Sequence, residues 1–103
     1  MRLKNEFQPI RTWATIRDIY SSGSAEKQYI KLMEEAGELS KALLTQNKEE
    51  VNDAIGDMVV VLTSIAHFNG TTIEDCINSA YNEIKDRTGS IKNGSFVKEV
   101  WEQ

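Results

Sequence analysis

Residues 32–62 read LMEEAGELSKALLTQNKEEVNDAIGDMVVVL, and two amphipathic helices with a break between them account for the whole stretch. In the first half, Leu32, Met33, Ala36, Leu39 and Leu43 recur at the steps of one helical face, with charged and polar residues between them. Carried back through Tyr29, this pattern predicts a helix from about Ala25 to about Leu44. Thr45-Gln46-Asn47 interrupts it. The second half predicts a helix from near Lys48 to His67 or Phe68, where Asn69-Gly70 supplies a C-terminal stop.

Working outward, the only proline, Pro9, precedes Ile10, Trp13, Ile16 and Ile19 at three-residue steps, which predicts a helix over residues 10–20. Ser21-Ser22-Gly23-Ser24 reads as a turn that also offers capping hydroxyls. On the other side, Thr71 stands three residues before Glu74, as in a capping box, and opens a fourth helix through Ile73, Ile77, Ala80, Tyr81 and Ile84 that Gly89 ends. Ser90-Ile91-Lys92 and Ser95-Phe96-Val97 then flank Asn93-Gly94, the dipeptide best suited to a two-residue hairpin turn. Two strands alone are marginal in water, so a hairpin or an ordered tail fits this end. The expected fold is all-α: a four-helix bundle with a short C-terminal hairpin or tail, one domain over residues 1–103. A chain of 103 residues is near the size at which one core becomes adequate, so self-association into a homodimer or homotetramer is expected to complete the bundle.

Charge and composition narrow the function. The formal net charge is −4 and the Lys and Arg residues are scattered, leaving no basic stripe to track a phosphodiester backbone, so nucleic acid is not an expected partner. The lone Cys76 cannot form an internal disulfide, and MRLKNEFQPIRTW holds no apolar stretch of signal-peptide length, which points to a reducing, cytoplasmic setting. The glycosylation-type triplets Asn69-Gly70-Thr71 and Asn93-Gly94-Ser95 need a secretory route that nothing else supports. No apolar run approaches about 18 residues, so no membrane span is expected.

The acidic residues carry the chemistry. Glu35 and Glu38 share a helix face, with Glu34 at its edge, and Glu50, Asp53 and Asp57 form a second acidic stripe at spacings of three and four. A Glu-rich helix is commonly just a solvated face. Asp57 argues otherwise, because it lies within Ala54-Ile55-Gly56-Asp57-Met58-Val59-Val60-Val61-Leu62, a run apolar nearly all round and therefore expected to be buried. An unpaired buried carboxylate costs several kcal/mol unless a cation, a donor network or a proton relieves it. If the two helices run antiparallel their acidic faces can converge, and a hard divalent cation such as Mg²⁺, taking oxygen ligands and substrate phosphates, would relieve all of these groups together.

At these residues the chain resembles the MazG-type all-α nucleoside triphosphate pyrophosphohydrolases, whose pattern is Glu-Glu-x-x-Glu on one helix and Glu-x-x-Asp on the next. Glu34-Glu35-Ala36-Gly37-Glu38 matches the first half and Ile55-Gly56-Asp57 the end of the second. Where the family has Glu three residues before Asp57, this chain has Ala54, with Asp53 one residue earlier. Asp53 can take the missing ligand role, or Glu50-Val51-Asn52-Asp53 can serve as the Glu-x-x-Asp with Asp57 as a further ligand; both registers stay open. Tyr81-Asn82-Glu83-Ile84-Lys85-Asp86-Arg87-Thr88-Gly89 and Asn93-Gly94-Ser95-Phe96-Val97-Lys98 resemble the end of short phage and bacterial members.

The resemblance implies hydrolysis of (deoxy)nucleoside triphosphates to monophosphate and pyrophosphate. It implies Mg²⁺, for which Mn²⁺ can substitute, on Glu35, Glu38, Asp53 and Asp57, with Glu35 or Glu34 orienting or deprotonating the attacking water. Lys31, Asn82, Lys85 and Arg87 are the expected substrate contacts. Two alternatives stand beside this: a same-fold enzyme acting on another pyrophosphate such as phosphoribosyl-ATP, and a non-catalytic helical interaction module. Trp13 is read as core, His67 as a surface or capping residue and Cys76 as packing. No Gly-rich phosphate loop or hydrolase elbow is present.

Overall fold

The computed structural model describes residues 5–99. Within them the chain is helical apart from one C-terminal hairpin, as the all-α expectation requires. The elements are α1 (Gln8–Ile16), the single turn α2 (Ile19–Ser22), α3 (Ala25–Leu44), α4 (Lys48–Phe68), α5 (Ile73–Ile84), β1 (Gly89–Lys92) and β2 (Ser95–Lys98). The two long helices begin and end where residues 32–62 predict. Ser24 caps α3 by accepting from the Lys27 amide at 3.2 Å, and Asn47 caps α4 by accepting from the Glu50 amide at 3.2 Å. Both side chains satisfy amides that a helix start leaves unpaired. Between the helices Gln46 turns the chain through a left-handed conformation at φ 54°, and α4 folds back along α3.

That helical hairpin is the trunk of the molecule. The residues buried where it closes are small, Ala42 on α3 and Ala54 on α4, which lets the backbones approach, and Val61 and Ala66 continue the buried face of α4. Thr63 and Ser64 are buried on other sides of the same helix, which four elements surround, with the Thr63 hydroxyl donating to the Val59 carbonyl at 2.7 Å. α4 is long and apolar enough, by length and composition, to cross a membrane, although Asp53 and Asp57 interrupt its apolar run and keep it short of 18 residues. Here the helix packs against α1, α2, α3 and α5 and carries Asp53 and Asp57 within its apolar portion.

The N-terminal helix departs from expectation. The stripe Ile10, Trp13, Ile16, Ile19 does not run as one helix, because Asp18 takes a left-handed conformation, φ 60° and ψ 20°, and divides it into α1 and α2. Aspartate is among the few non-glycine residues that tolerate this region, and the three-residue apolar spacing carries no record of the break. Only Ala14 of α1 is buried, while Trp13 and Ile16 are exposed.

The start of α5 is also one residue later than the capping-box reading. Thr72, not Thr71, is the cap and accepts from the Asp75 amide at 3.1 Å. Glu74 is thereby freed from a capping role and pairs with Arg11 of α1 through two short hydrogen bonds, 2.6 and 2.7 Å, with both side chains largely buried. This forked pair ties the first helix to the last. Cys76, read as packing, is exposed. The C-terminal hairpin forms as the Asn93-Gly94 turn predicts: both residues have positive φ, 52° and 79°, and Ile91 pairs with Phe96. All of its residues are exposed.

The Arg11 guanidinium holds the Glu74 carboxyl below its ordinary pKa. A depressed carboxylate pKa contributes stability that is present above the unfolded value and disappears as pH falls through the folded value. Glu74→Gln is therefore expected to lower the free energy of urea unfolding by about 1–3 kcal/mol at pH 7, the scale of a hydrogen bond to a charged group. The gap between variant and wild type should narrow as pH falls below the ordinary glutamate range and close once the depressed folded-state pKa has been passed and the wild-type carboxyl is itself protonated.

Candidate active site

The hairpin of α3 and α4 turns its acidic faces toward each other. Glu35 and Glu38 of α3 and Asp57 of α4 each offer a carboxylate oxygen, and these oxygens lie within 4.8 Å of one another. Among the described residues they are the group of three that could hold a metal ion. The convergence expected from the sequence is thus present, with one reversal. The buried acid is Glu35, at 5% exposure, and not Asp57, which is exposed. The apolar run around Asp57 is not covered all round: Ile55 is 50% exposed and Leu62 37% exposed, so α4 buries only the face turned to its neighbours.

Glu35 is held in an incomplete set of contacts. Lys31, one turn earlier on α3, places its Nζ 3.4 Å from Glu35 Oε1 and 3.6 Å from Glu34 Oε2. Glu35 Oε2 is buried and, among the described residues, has no hydrogen-bond partner. A buried carboxylate oxygen left unpaired is costly, and a cation is the partner that suits an acceptor-only group that meets two further carboxylates. The donor set, oxygens only and from carboxylates, is that of a hard divalent ion such as Mg²⁺. Asp57 feels the same crowding. Loss of water around its carboxylate, then the negative charges of Glu35 and Asp53, push its pKa up, while Lys31 pulls it down.

Three hollows meet at Asp57, which lines each of them. The first, about 550 Å³, is a groove walled by Trp13 of α1, Lys27, Lys31 and Glu35 of α3, and Val60 and Ser64 of α4, among others. The second, about 320 Å³, is lined by Glu38, Lys41, Glu50, Asp53, Ala54 and Asp57. The third, about 350 Å³, is apolar, lined by Pro9, Ile10, Trp13 and Val60 beside Asp57. Asp53 and Glu50, the two residues between which the sequence left the missing ligand open, both stand in the second hollow and outside the closest triplet. Glu34 is well exposed and faces Lys31. Asn82, Lys85 and Arg87 belong to the end of α5 and the turn after it, are exposed, and line none of these three hollows.

Two groups escaped the sequence reading. Lys27 lines the groove with Lys31. Its signal was present, since Lys27, Lys31 and Glu35 follow one another at four-residue steps along one helix face. Trp13, read as core, is 47% exposed and walls two of the hollows. His67, read as a surface or capping residue, is exposed on the last turn of α4 and stacks on Tyr20 with ring centroids 3.6 Å apart, away from the carboxylates.

Residues 10–99 match the family described as PRA-PH, Phosphoribosyl-ATP pyrophosphohydrolase. The chain is also 36% identical over 67 residues to a protein of Haemophilus phage HP1 (strain HP1c1) described as an uncharacterized 18.2 kDa protein in the rep-hol intergenic region. That alignment covers 65% of this chain and 41% of the phage protein. No solved structure matches the chain.

A raised carboxylate pKa means that the folded state binds its proton more tightly than the unfolded chain, so this group lowers stability as pH rises through that range. Asp57→Asn is accordingly expected to raise the melting temperature of the cation-free protein at pH 7. Millimolar Mg²⁺ should raise the melting temperature of the wild type, as a ligand of the native state does, and should leave Asp57→Asn nearly unmoved. A variant that is more stable without the cation yet no longer responds to it, read in one thermal-shift series, separates a cation site from a merely solvated acidic face.

Proposed function

The chain belongs to the phosphoribosyl-ATP pyrophosphohydrolase family, within the MazG-like nucleotide pyrophosphohydrolase superfamily, and from that premise we propose that it hydrolyses (deoxy)nucleoside triphosphates to the monophosphate and pyrophosphate in a Mg²⁺-dependent reaction. The observation that carries this reading is the meeting of Glu35, Glu38 and Asp57 from two helices around a buried, unpartnered oxygen of Glu35. Glu35, Glu38 and Asp57 would hold the cation, with Asp53 and Glu50 at the rim, and when bound it supplies charge neutralisation for the phosphates and acidifies a water.

The chain's own groups account for the rest. Lys31 and Lys27 face the groove and offer ammonium donors to phosphate oxygens. A carboxylate of Glu35 or Glu34 takes the proton of the attacking water, whose oxygen bonds to the α-phosphorus. The bond from the α-phosphorus to the bridging oxygen breaks in line, and pyrophosphate leaves with the electron pair. Asn82, Lys85 and Arg87, which line none of the hollows, enter this reading as phosphate contacts supplied by a second copy of the chain. Exposed apolar side chains along α3 and α4, among them Tyr29, Ile30, Met33 and Ile55, support a homodimer or homotetramer. Kinship with short phage-borne members, supported by the Haemophilus phage HP1 protein, and a role in clearing aberrant nucleotides belong to the same proposal.

The family's description favours a second substrate, phosphoribosyl-ATP, which presents the same anhydride to the same carboxylates. Pyrophosphate release from a panel of standard and modified nucleoside triphosphates and phosphoribosyl-ATP, with and without Mg²⁺, decides between them. Wild-type release is expected to require Mg²⁺, and Glu35→Gln, confirmed folded, should lose at least about 100-fold in kcat, the scale of a positioned acid–base group. A wild type that releases nothing from any substrate would leave the interaction-module reading in its place.

A further inference from the structure

Asp57 separates a charged side of the site from an apolar one. On the charged side, Lys27, Gln28 and Lys31 face the groove together with Glu35. On the other, Pro9, Ile10, Trp13 and Val60 line a hollow of about 350 Å³ in which Asp57 is the one charged residue. Trp13 walls both spaces and is 47% exposed. An indole left half in water beside a charged cleft gains little from folding alone, whereas a flat ring laid on it would recover the buried area.

The ring does not stand there by default. α1 is fixed through its other residues: Ala14 is buried, and the Arg11 fork to Glu74 ties the helix to α5. Trp13 is thus held over the hollow by contacts made elsewhere on its helix, the arrangement expected of a pre-set binding wall rather than of a packing residue. The volume is within the range of small-molecule sites, and the lining is apolar with one polar edge.

We propose that Trp13, with Pro9, Ile10 and Val60, forms a stacking platform for the nucleobase of the substrate, while the polyphosphate lies across Lys27, Lys31 and the carboxylates. The platform rests on the pyrophosphohydrolase reading and adds to it the element that tells a nucleotide from a bare polyphosphate. A tryptophan face is tolerant of base identity, so α1 supplies affinity for an aromatic ring without discriminating among bases.

The test uses the full chain with Mg²⁺ and the substrate that gives the highest rate of pyrophosphate release. Tripolyphosphate, which has no base, serves as competing inhibitor. Trp13→Leu keeps apolar bulk and removes the ring; Trp13→Phe keeps a ring. Trp13→Leu is expected to raise KM about tenfold, the scale of one base–aromatic stack, with kcat and the tripolyphosphate inhibition constant little changed, and Trp13→Phe to recover most of the loss. An unchanged KM in Trp13→Leu overturns the platform while leaving the hydrolase intact. Equal weakening of nucleotide and tripolyphosphate, or a Trp13→Phe variant no better than Trp13→Leu, overturns it in favour of a structural role. A wild type inactive on every nucleotide removes the parent reading and the platform with it.

Discussion

A carboxylate taken out of water between two helices is the constraint around which the rest of this molecule is arranged. Glu35 is 5% exposed and, among the described residues, its one close cation is Lys31 and its Oε2 has no partner. An apolar residue of similar size at that position would make the α3–α4 contact more stable, since burying an incompletely paired charge is unfavourable. The stability is given up locally, at the place where two further carboxylates arrive. Such a concentration of cost is what sites of function show and packing positions do not.

The geometry that brings those groups together is simple. Glu35 and Asp57 each lie eleven residues from Gln46, the residue that turns the chain between the helices. In an antiparallel pair, equal distances from the turn mean equal heights, here about 14 Å along each helix axis from its end at the turn. The turn therefore sets the register of the site, and Ala42 and Ala54, buried near the closed end, set how closely the helices approach. Stability lost at Glu35 is offset elsewhere, and the Arg11–Glu74 fork shows how: there a buried carboxylate is fully paired, in two short bonds, by a guanidinium whose planar geometry matches it. Among the described residues the protein thus contains one fully paired and one incompletely paired buried acid.

The long helices, the Ser24 cap, the hairpin turn and the approach of Glu35, Glu38 and Asp57 are legible in the sequence, because each depends on spacing within a short segment, whereas the Asn47 cap and the place of Asp53 and Glu50 outside that triplet are not. What escaped depends on contacts between segments. The period of Ile10, Trp13, Ile16 and Ile19 is that of a helix whether or not Asp18 breaks it. Thr71 and Thr72 offer the same hydroxyl; Thr72 is the cap, and Glu74 pairs with Arg11, which is distant in sequence. Asp57 was expected to be buried because its neighbours are apolar, but an apolar neighbourhood along the chain buries a residue only where another element covers it. Trp13 was assigned to the core by the same inference, and fails for the same reason.

The departure at Ala54 takes its meaning from this arrangement. In the resembling pattern a Glu stands there, and Ala54 lines the second hollow with Glu38 and Asp57, so a longer acidic side chain would enter the space between them. With alanine the floor of that hollow is neutral, and Glu50 and Asp53 carry its acidity at the rim instead. Like charges repel less when they are farther apart and better solvated. A carboxylate at the rim instead of the floor therefore adds less to the repulsion that, after loss of water, raises the Asp57 pKa, while keeping negative charge near the meeting point of Glu35, Glu38 and Asp57. The close helix contact at Ala42 and Ala54 and the milder charge of the hollow are two consequences of the same small side chain.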